Sequence, residues 1–125
     1  LERRGWGLVS AERGTAGALA AEISTDPVLA GCFRGGFMVD DAGSPLGTGD
    51  MRPAELAAAA RKQTGAEVAI ATALVLDGPA VDFAIDVRDV QRSEITRWNR
   101  GIPELRRRSA VESLALLLRV LREMD

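Results

Sequence analysis

Nine residues in the middle of the chain, Val68 to Leu76 (V-A-I-A-T-A-L-V-L), are apolar at every position but Thr72. A short, uncharged run of this kind behind a helix-forming segment reads as a central strand covered on both faces. Such a strand needs a helical layer on each side, which points the chain toward layered α/β architectures.

The flanking segments supply those layers. Gly5 to Ala11 reads as a first strand with Leu8 and Val9 as its buried part, and Thr15 to Ile23 as a helix. Ala16, Ala18, Leu19, Ala20, Ala21 and Ile23 give that helix a wide face of small apolar side chains. Ser24-Thr25-Asp26-Pro27 stops it, because proline cannot continue the ladder, and Val28 to Cys32 reads as a short turn. Phe33 to Val39 reads as a second strand whose glycines, Gly35 and Gly36, suggest a bulge or a close backbone approach. The segment Asp40 to Asp50 reads as a loop, with Asp50 capping the next helix and Pro53 in its first turn. That helix runs through Ala54 to Gln63 and ends at Gly65 in a left-handed conformation.

After the central strand, Val81, Phe83, Ile85 and Val87 alternate with Asp82, Ala84 and Asp86, the pattern of a strand with one buried face. Arg88-Asp89 allows a hairpin into Val90 to Trp98. The last helix, Glu104 to Glu123, carries a stripe of Leu105, Ala110, Val111, Leu114, Ala115, Leu117, Leu118 and Leu121. The order β-α-β-loop-α-β-β-β-α predicts one domain over residues 1–125. Its expected fold is a three-layer α/β/α sandwich, with a mixed, mostly parallel sheet and an antiparallel hairpin edge.

Composition removes whole classes of chemistry. The 125 residues contain no histidine and no tyrosine, and 15 of the 16 basic residues are arginine, Lys62 being the exception. A Ser-His-Asp triad, a Cys-His dyad and an imidazole metal site are therefore excluded within one chain. General-base work would fall to Asp, Glu or Lys62, and Lys62, in the last turn of its helix, reads as structural or solvated. Neither a metal nor a cofactor is expected, the acids Asp40, Asp41 and Asp50 reading as solvated loop residues. A net charge of −2 gives no reason to expect nucleic acid, and Arg106-Arg107-Arg108 share their helix with Glu104 and Glu112. No apolar run approaches the roughly 20 residues that span a bilayer, and the opening residues lack a signal peptide's apolar core. The single cysteine, Cys32, excludes an internal disulfide, fits a cytoplasmic location and reads as a small core residue.

The candidate site lies at Leu8 to Gly17 (L-V-S-A-E-R-G-T-A-G), a strand, a tight turn and a helix N-terminus. The first N–H groups of a helix lack partners within it and suit an anion, and glycines there admit close approach. The same grammar also describes a glycine-containing turn that binds nothing.

In order and spacing, these pieces resemble the C-terminal domain of the CinA family (competence/damage-inducible, nicotinamide-nucleotide amidase type). Its first strand ends A-E-S-C-T-G-G, resembled by Ala11-Glu12-Arg13-Gly14-Thr15-Ala16-Gly17. F-x-G-G-V-V-A-Y is resembled by Phe33 to Asp40, and G-A-D before L-A-V-T-G-I-A-G-P by Gly65-Ala66-Glu67 and Val68 to Pro79. An arginine before the last helix's aliphatic stripe is matched by Arg107 or Arg108. The resemblance implies an α/β/α fold, oligomers, and a serine amidase acting on the carboxamide of nicotinamide mononucleotide with a downstream lysine as base.

At the chemical positions this chain departs from the family. Arg13 stands in the serine's place, Gly14 in the cysteine's, and Asp40 to Pro45 replace the lysine-bearing segment. Loss of a nucleophile costs serine hydrolases about 10⁵–10⁶-fold. The expectation is a catalytically inactive binding or assembly module with a residual anion or nucleotide pocket. Arg13, Gly14, Thr15, Ala16, Gly17, Gly35 and Gly36 are its ligand-binding candidates. Arg13 either pairs with a phosphate or carboxylate, or fills the old pocket by bridging to Glu12 or a loop acid. Two alternatives stand beside it: an amidohydrolase with Thr15 or Ser10 as nucleophile and Glu12 as base, and a purely structural homo-oligomer joined through helix faces or the late hairpin.

Overall fold

A computed structural model describes residues 5–15, 17–39, 52–75, 80–88, 90–97 and 102–124. The expectations for Ala16, for Asp40 to Asp50 and for Trp98 lie outside those residues, as do the side chains of Leu105 and Arg106 to Arg108. In chain order the elements are β1 (Leu8–Arg13), α1 (Ala18–Thr25), α2 (Pro27–Cys32), β2 (Phe33–Met38), α3 (Pro53–Thr64), β3 (Val68–Val75), β4 (Ala80–Val87), β5 (Val90–Arg97) and α4 (Ile102–Met124).

The sheet has the order β2-β1-β3-β4-β5. β1 pairs in parallel with both β2 and β3, whereas β4 is antiparallel to β3 and β5 antiparallel to β4. Four strands thus run one way and β4 alone runs against them. Leu8 of β1, Val68 and Ile70 of β3 and Phe83, Ile85 and Val87 of β4 share one core with Leu19 and Ile23 of α1 and Leu116, Leu117 and Val120 of α4. On the other face Val9, Ala11, Ala69 and Ala71 pack against Leu56, Ala57 and Ala60 of α3. The three-layer α/β/α sandwich is as expected, and the alanines on the α3 side let that helix lie close to the sheet.

β2 contains the bulge that its glycines suggested. Leu8 pairs with Phe33 and Val9 with Gly35, so Arg34 is an extra residue. Gly35 takes φ 143°, outside the reach of ordinary side chains. The extra residue resets the alternation: Phe33 packs into the α1/α4 core and Phe37 into the α3 core, although the two are four apart. Gly65 ends α3 at φ 76°, its N–H donating to the Arg61 carbonyl, as its position predicted.

Several expectations are corrected. β1 continues through Glu12 and Arg13, paired with Thr72 and Ala73, and α1 begins at Ala18 instead of Thr15. Only Leu19 and Ile23 of α1 are buried, while Ala21 is exposed. The turn expected at Val28 to Cys32 is the helix α2, because Asp26 Oδ1 accepts from the N–H groups of Val28 and Leu29 and so caps it. Among the described side chains of α4 the buried ones are Ala110, Ser113, Leu116, Leu117 and Val120, leaving Val111, Ala115 and Leu118 exposed. The stripe is rotated because a 23-residue helix with leucines on several sides does not encode which of them meets the sheet. Cys32 is buried, as a core residue should be.

Candidate functional site

Successive residues of a strand face opposite sides, so the end of β1 sends Glu12 toward α1 and Arg13 toward α3. On the α1 side, Glu12 is 1% exposed and Thr15 fully buried. Thr15 Oγ1 donates to Glu12 Oε1 at 2.6 Å, and the Leu19 N–H donates to the same oxygen at 2.9 Å. The Ala20 N–H donates to Glu12 Oε2 at 3.0 Å, and the Ala18 N–H donates to the Thr15 carbonyl at 3.1 Å. The first-turn donors of α1 are therefore satisfied by the chain's own carboxylate, in the position where a bound anion would sit. Gly14 (φ 80°) and Gly17 (φ 82°) bend the backbone between strand and helix so that Glu12 can reach.

Ser10 is fully buried beside Gly36, where an added Cβ would lie 2.6 Å from Ser10 Oγ. The close approach expected of the glycine pair is thus to Ser10. Gly35 and Gly36 lie on β2, at the edge of the sheet.

On the α3 side, Arg13 pairs in register with Ala73, which pairs with Asp82 of β4. β1 connects to β2 across one face of the sheet, and β2 connects to β3 across the other. The reversal falls between β1 and β3, whose carboxyl ends are the position where open α/β sheets bind ligands. A cavity of about 200 Å³ lies on the α3 side of the sheet, between the start of that helix and strands β4 and β5, lined by Arg52, Ala54, Glu55, Asp82 and Ser93. Arg52 Nη2 stands 3.6 Å from Asp82 Oδ2, with the arginine side chain 70% exposed and the aspartate side chain 12%. Glu55 Oε1 accepts from the Arg52 N–H at 3.1 Å, half of a capping box.

Burial pushes the Asp82 carboxyl above the ordinary carboxylate range, against the opposing pull of Arg52 and, beyond it, of Arg13. In the pH window from that ordinary range up to the raised value, the folded chain holds more protons at Asp82 than the unfolded chain. Stability from this residue therefore falls as pH rises through the window. Urea melts should find Asp82→Asn at least as stable as the parent at pH 7, with the difference shrinking toward pH 4.

The opposite end of α3 has a separate task. Arg61 Nη1 is 2.7 Å from Asp86 Oδ1 and also donates to the Arg88 carbonyl at 2.9 Å, while its Nε donates to the Ala66 carbonyl at 3.2 Å. The acidic face of β4, expected to meet solvent, is instead covered by α3, with one arginine for each acid. Lys62 is exposed on the last turn of α3, at the opposite end of that helix from Arg52.

Of the candidate residues, the structure brings Glu12, Thr15 and the α1 end together as a closed turn. It directs Arg13 to the other face, and it adds Arg52 and Asp82, which sequence reading had not singled out. Among the described residues no group of acids and Cys32 is arranged to hold a metal, and no helix is long and apolar enough to cross a membrane.

No family model and no curated protein matches this sequence. Solved structures do. Competence damage-inducible protein A from Klebsiella pneumoniae superposes with a TM-score of 0.80 at 20% identity, over 98% of this chain and 91% of that one. A competence or damage-inducible protein from Enterobacter asburiae gives 0.80 at 22% identity, over 97% and 91%. This chain has the CinA-superfamily fold. A CinA superfamily protein from Escherichia coli, at 0.78 and 19% identity over 94% and 82%, shares it as well. Of the motif that suggested the CinA resemblance, Ala11, Glu12, Thr15 and Gly17 are the positions that match. Glu12, Thr15 and Gly17 among them also hold the turn between β1 and α1.

Proposed function

We propose that this chain is a CinA-fold binding module without amidase chemistry, taking a small anionic or nucleotide ligand on the α3 side of the sheet. The observation that carries the reading is Arg13. It occupies the slot that the resemblance gives to a nucleophilic serine, and it faces the α3 side, where Asp82 feels its charge. A guanidinium cannot attack a carbonyl, but it can hold a phosphate or carboxylate. The anion pocket expected at the N-terminus of α1 moves in this reading to the cavity at Arg52 and Asp82, because Glu12 already holds the α1 donors.

The 2.6 Å hydrogen bond from Thr15 to Glu12 favours a second reading, a nucleophile with its base. Against it, both groups are sealed from solvent, and Glu12 is already committed to two backbone donors. An ammonia-release assay on nicotinamide mononucleotide separates the two readings. No release above the uncatalysed background is expected, and release that disappears in Thr15→Ala would establish the amidase instead. In a thermal-shift series with nicotinamide mononucleotide, nicotinate mononucleotide, ADP-ribose and phosphate, a binder at 100 times its Kd stabilises the fold by about 2.7 kcal/mol.

A further inference from the structure

The α1/α4 face of the sheet changes character along its strands. Its apolar core takes in Leu8 of β1 and Val68 and Ile70 of β3. The next residues on that face are polar and equally buried: Ser10 and Glu12 on β1 and Thr72 on β3, with Thr15 after the strand and Ser113 on α4. Ser10 Oγ, Thr72 Oγ1 and Ser113 Oγ have no hydrogen-bond partner among the described residues. A hydroxyl buried without a partner is a standing cost that native folds rarely carry.

Register limits what can satisfy Thr72. It stands beside Glu12 on one side and Phe83 on the other, with Ile70 two residues earlier on the same face. Of these three side chains only Glu12 accepts a hydrogen bond. Its carboxylate takes three among the described residues, two at Oε1 and one at Oε2. A carboxylate has about four acceptor sites, so Oε2 has room for one more donor. Thr72 does not bond it directly. A water between them reaches it, because two hydrogen bonds of about 2.8 Å span up to about 5.6 Å, and adjacent strands lie about 4.8 Å apart.

The third group comes from α4. That helix begins beyond the end of β5, and Arg92, near the start of β5, donates to Glu123 near the helix's other end. α4 therefore runs against β1 and β3. Leu117 shares the core with Ile70 and Phe83, and Ser113, one turn earlier on the buried side, lies toward Thr72 and the carboxyl ends of the strands. Ser10 stands apart. Its Oγ is turned to β2, 2.6 Å from where a Gly36 Cβ would lie, whereas Thr72 is on the opposite side of β1.

We propose that Thr72, Ser113 and Glu12 bind one internal water, which accepts from the two hydroxyls and donates to Glu12 Oε2. Three bonds to buried polar groups are what such a water ordinarily makes. The site suits a neutral ligand over a cation, because the α1 backbone donors and Thr15 already meet the charge of Glu12. Through the water, α4 is joined to the carboxylate that holds the β1–α1 turn. This is independent of the binding reading above.

A crystal structure that resolves ordered waters should show one within about 3.2 Å of Thr72 Oγ1, Ser113 Oγ and Glu12 Oε2. In urea melts, Thr72→Val and Ser113→Ala should each lower the folding equilibrium constant about 2- to 10-fold. The double variant should lose less than the product of the two, since both hydroxyls serve one water. A dry cluster predicts the opposite sign, because Thr72→Val then removes an unmatched polar group and leaves stability unchanged or raised. That sign, hydroxyls bonded directly to protein groups in the crystal, or stability that rises with sodium or potassium at constant ionic strength would each overturn the water site.

Discussion

Glu12→Ala is expected to cost about 3 kcal/mol of stability, the largest effect of any single substitution near the β1–α1 turn. The carboxylate accepts from Thr15, Leu19 and Ala20 in a place that water barely reaches. Its removal leaves two backbone donors and a buried hydroxyl unmatched, and each such group costs about 1–3 kcal/mol, with water recovering part of it at half-buried Ala20. In a chain of this length that corresponds to a fall of about 10 °C in Tm. Glu12→Gln keeps the shape and the Oε1 contacts but turns an amide N–H₂ toward the Ala20 N–H, for a loss of about 1–2 kcal/mol. Chemical denaturation measures both. A change under about 0.5 kcal/mol in Glu12→Ala would mean that the residue is solvated and does not hold the turn.

Arg61→Leu is the second. It would strip Asp86 of its 2.7 Å partner while that residue stays 8% exposed, and release the carbonyls of Ala66 and Arg88. Breaking a fully buried pair from one side costs about 3–5 kcal/mol. With the Arg61 side chain 25% exposed, solvent screening brings the expectation down to about 2 kcal/mol. Lys62→Ala, one residue along on an exposed position, should change stability by less than about 0.5 kcal/mol. Adding Asp86→Leu to Arg61→Leu should recover most of the loss, because two apolar groups replace a pair of which neither half then stays buried alone. Equal losses in Arg61→Leu and Lys62→Ala would show that the 2.7 Å contact contributes nothing beyond an ordinary surface charge.

The layers of this protein follow from local pattern. The apolar run from Val68 needs cover on both sides, Pro53 and Gly65 bracket a helix, and Gly35 announces a bulge, because each depends on side-chain polarity and backbone freedom within a few residues. A further regularity is present in the sequence. Arg52 and Arg61 are nine residues apart along a helix, about 13.5 Å at 1.5 Å per residue. Asp82 and Asp86 are four apart on one face of a strand, about 13 Å at 3.3 Å per residue. That match of spacings foretells two cross-layer ion pairs, provided the helix is known to lie along that strand.

Adjacency of this kind is what the tertiary structure decided. Local sequence placed a carboxylate, a guanidinium and two glycines at the end of β1, and it allowed either a ligand or an empty turn there. Packing α1 against the sheet gave the helix's free donors to Glu12, and packing α3 against β4 turned a seemingly solvent-facing acid into the buried wall of a cavity. Hydrogen bonds and desolvation act over a few ångströms in space, between residues here as far as 60 positions apart in the chain. The sequence therefore determined which groups are available, and only the fold determined which of them meet.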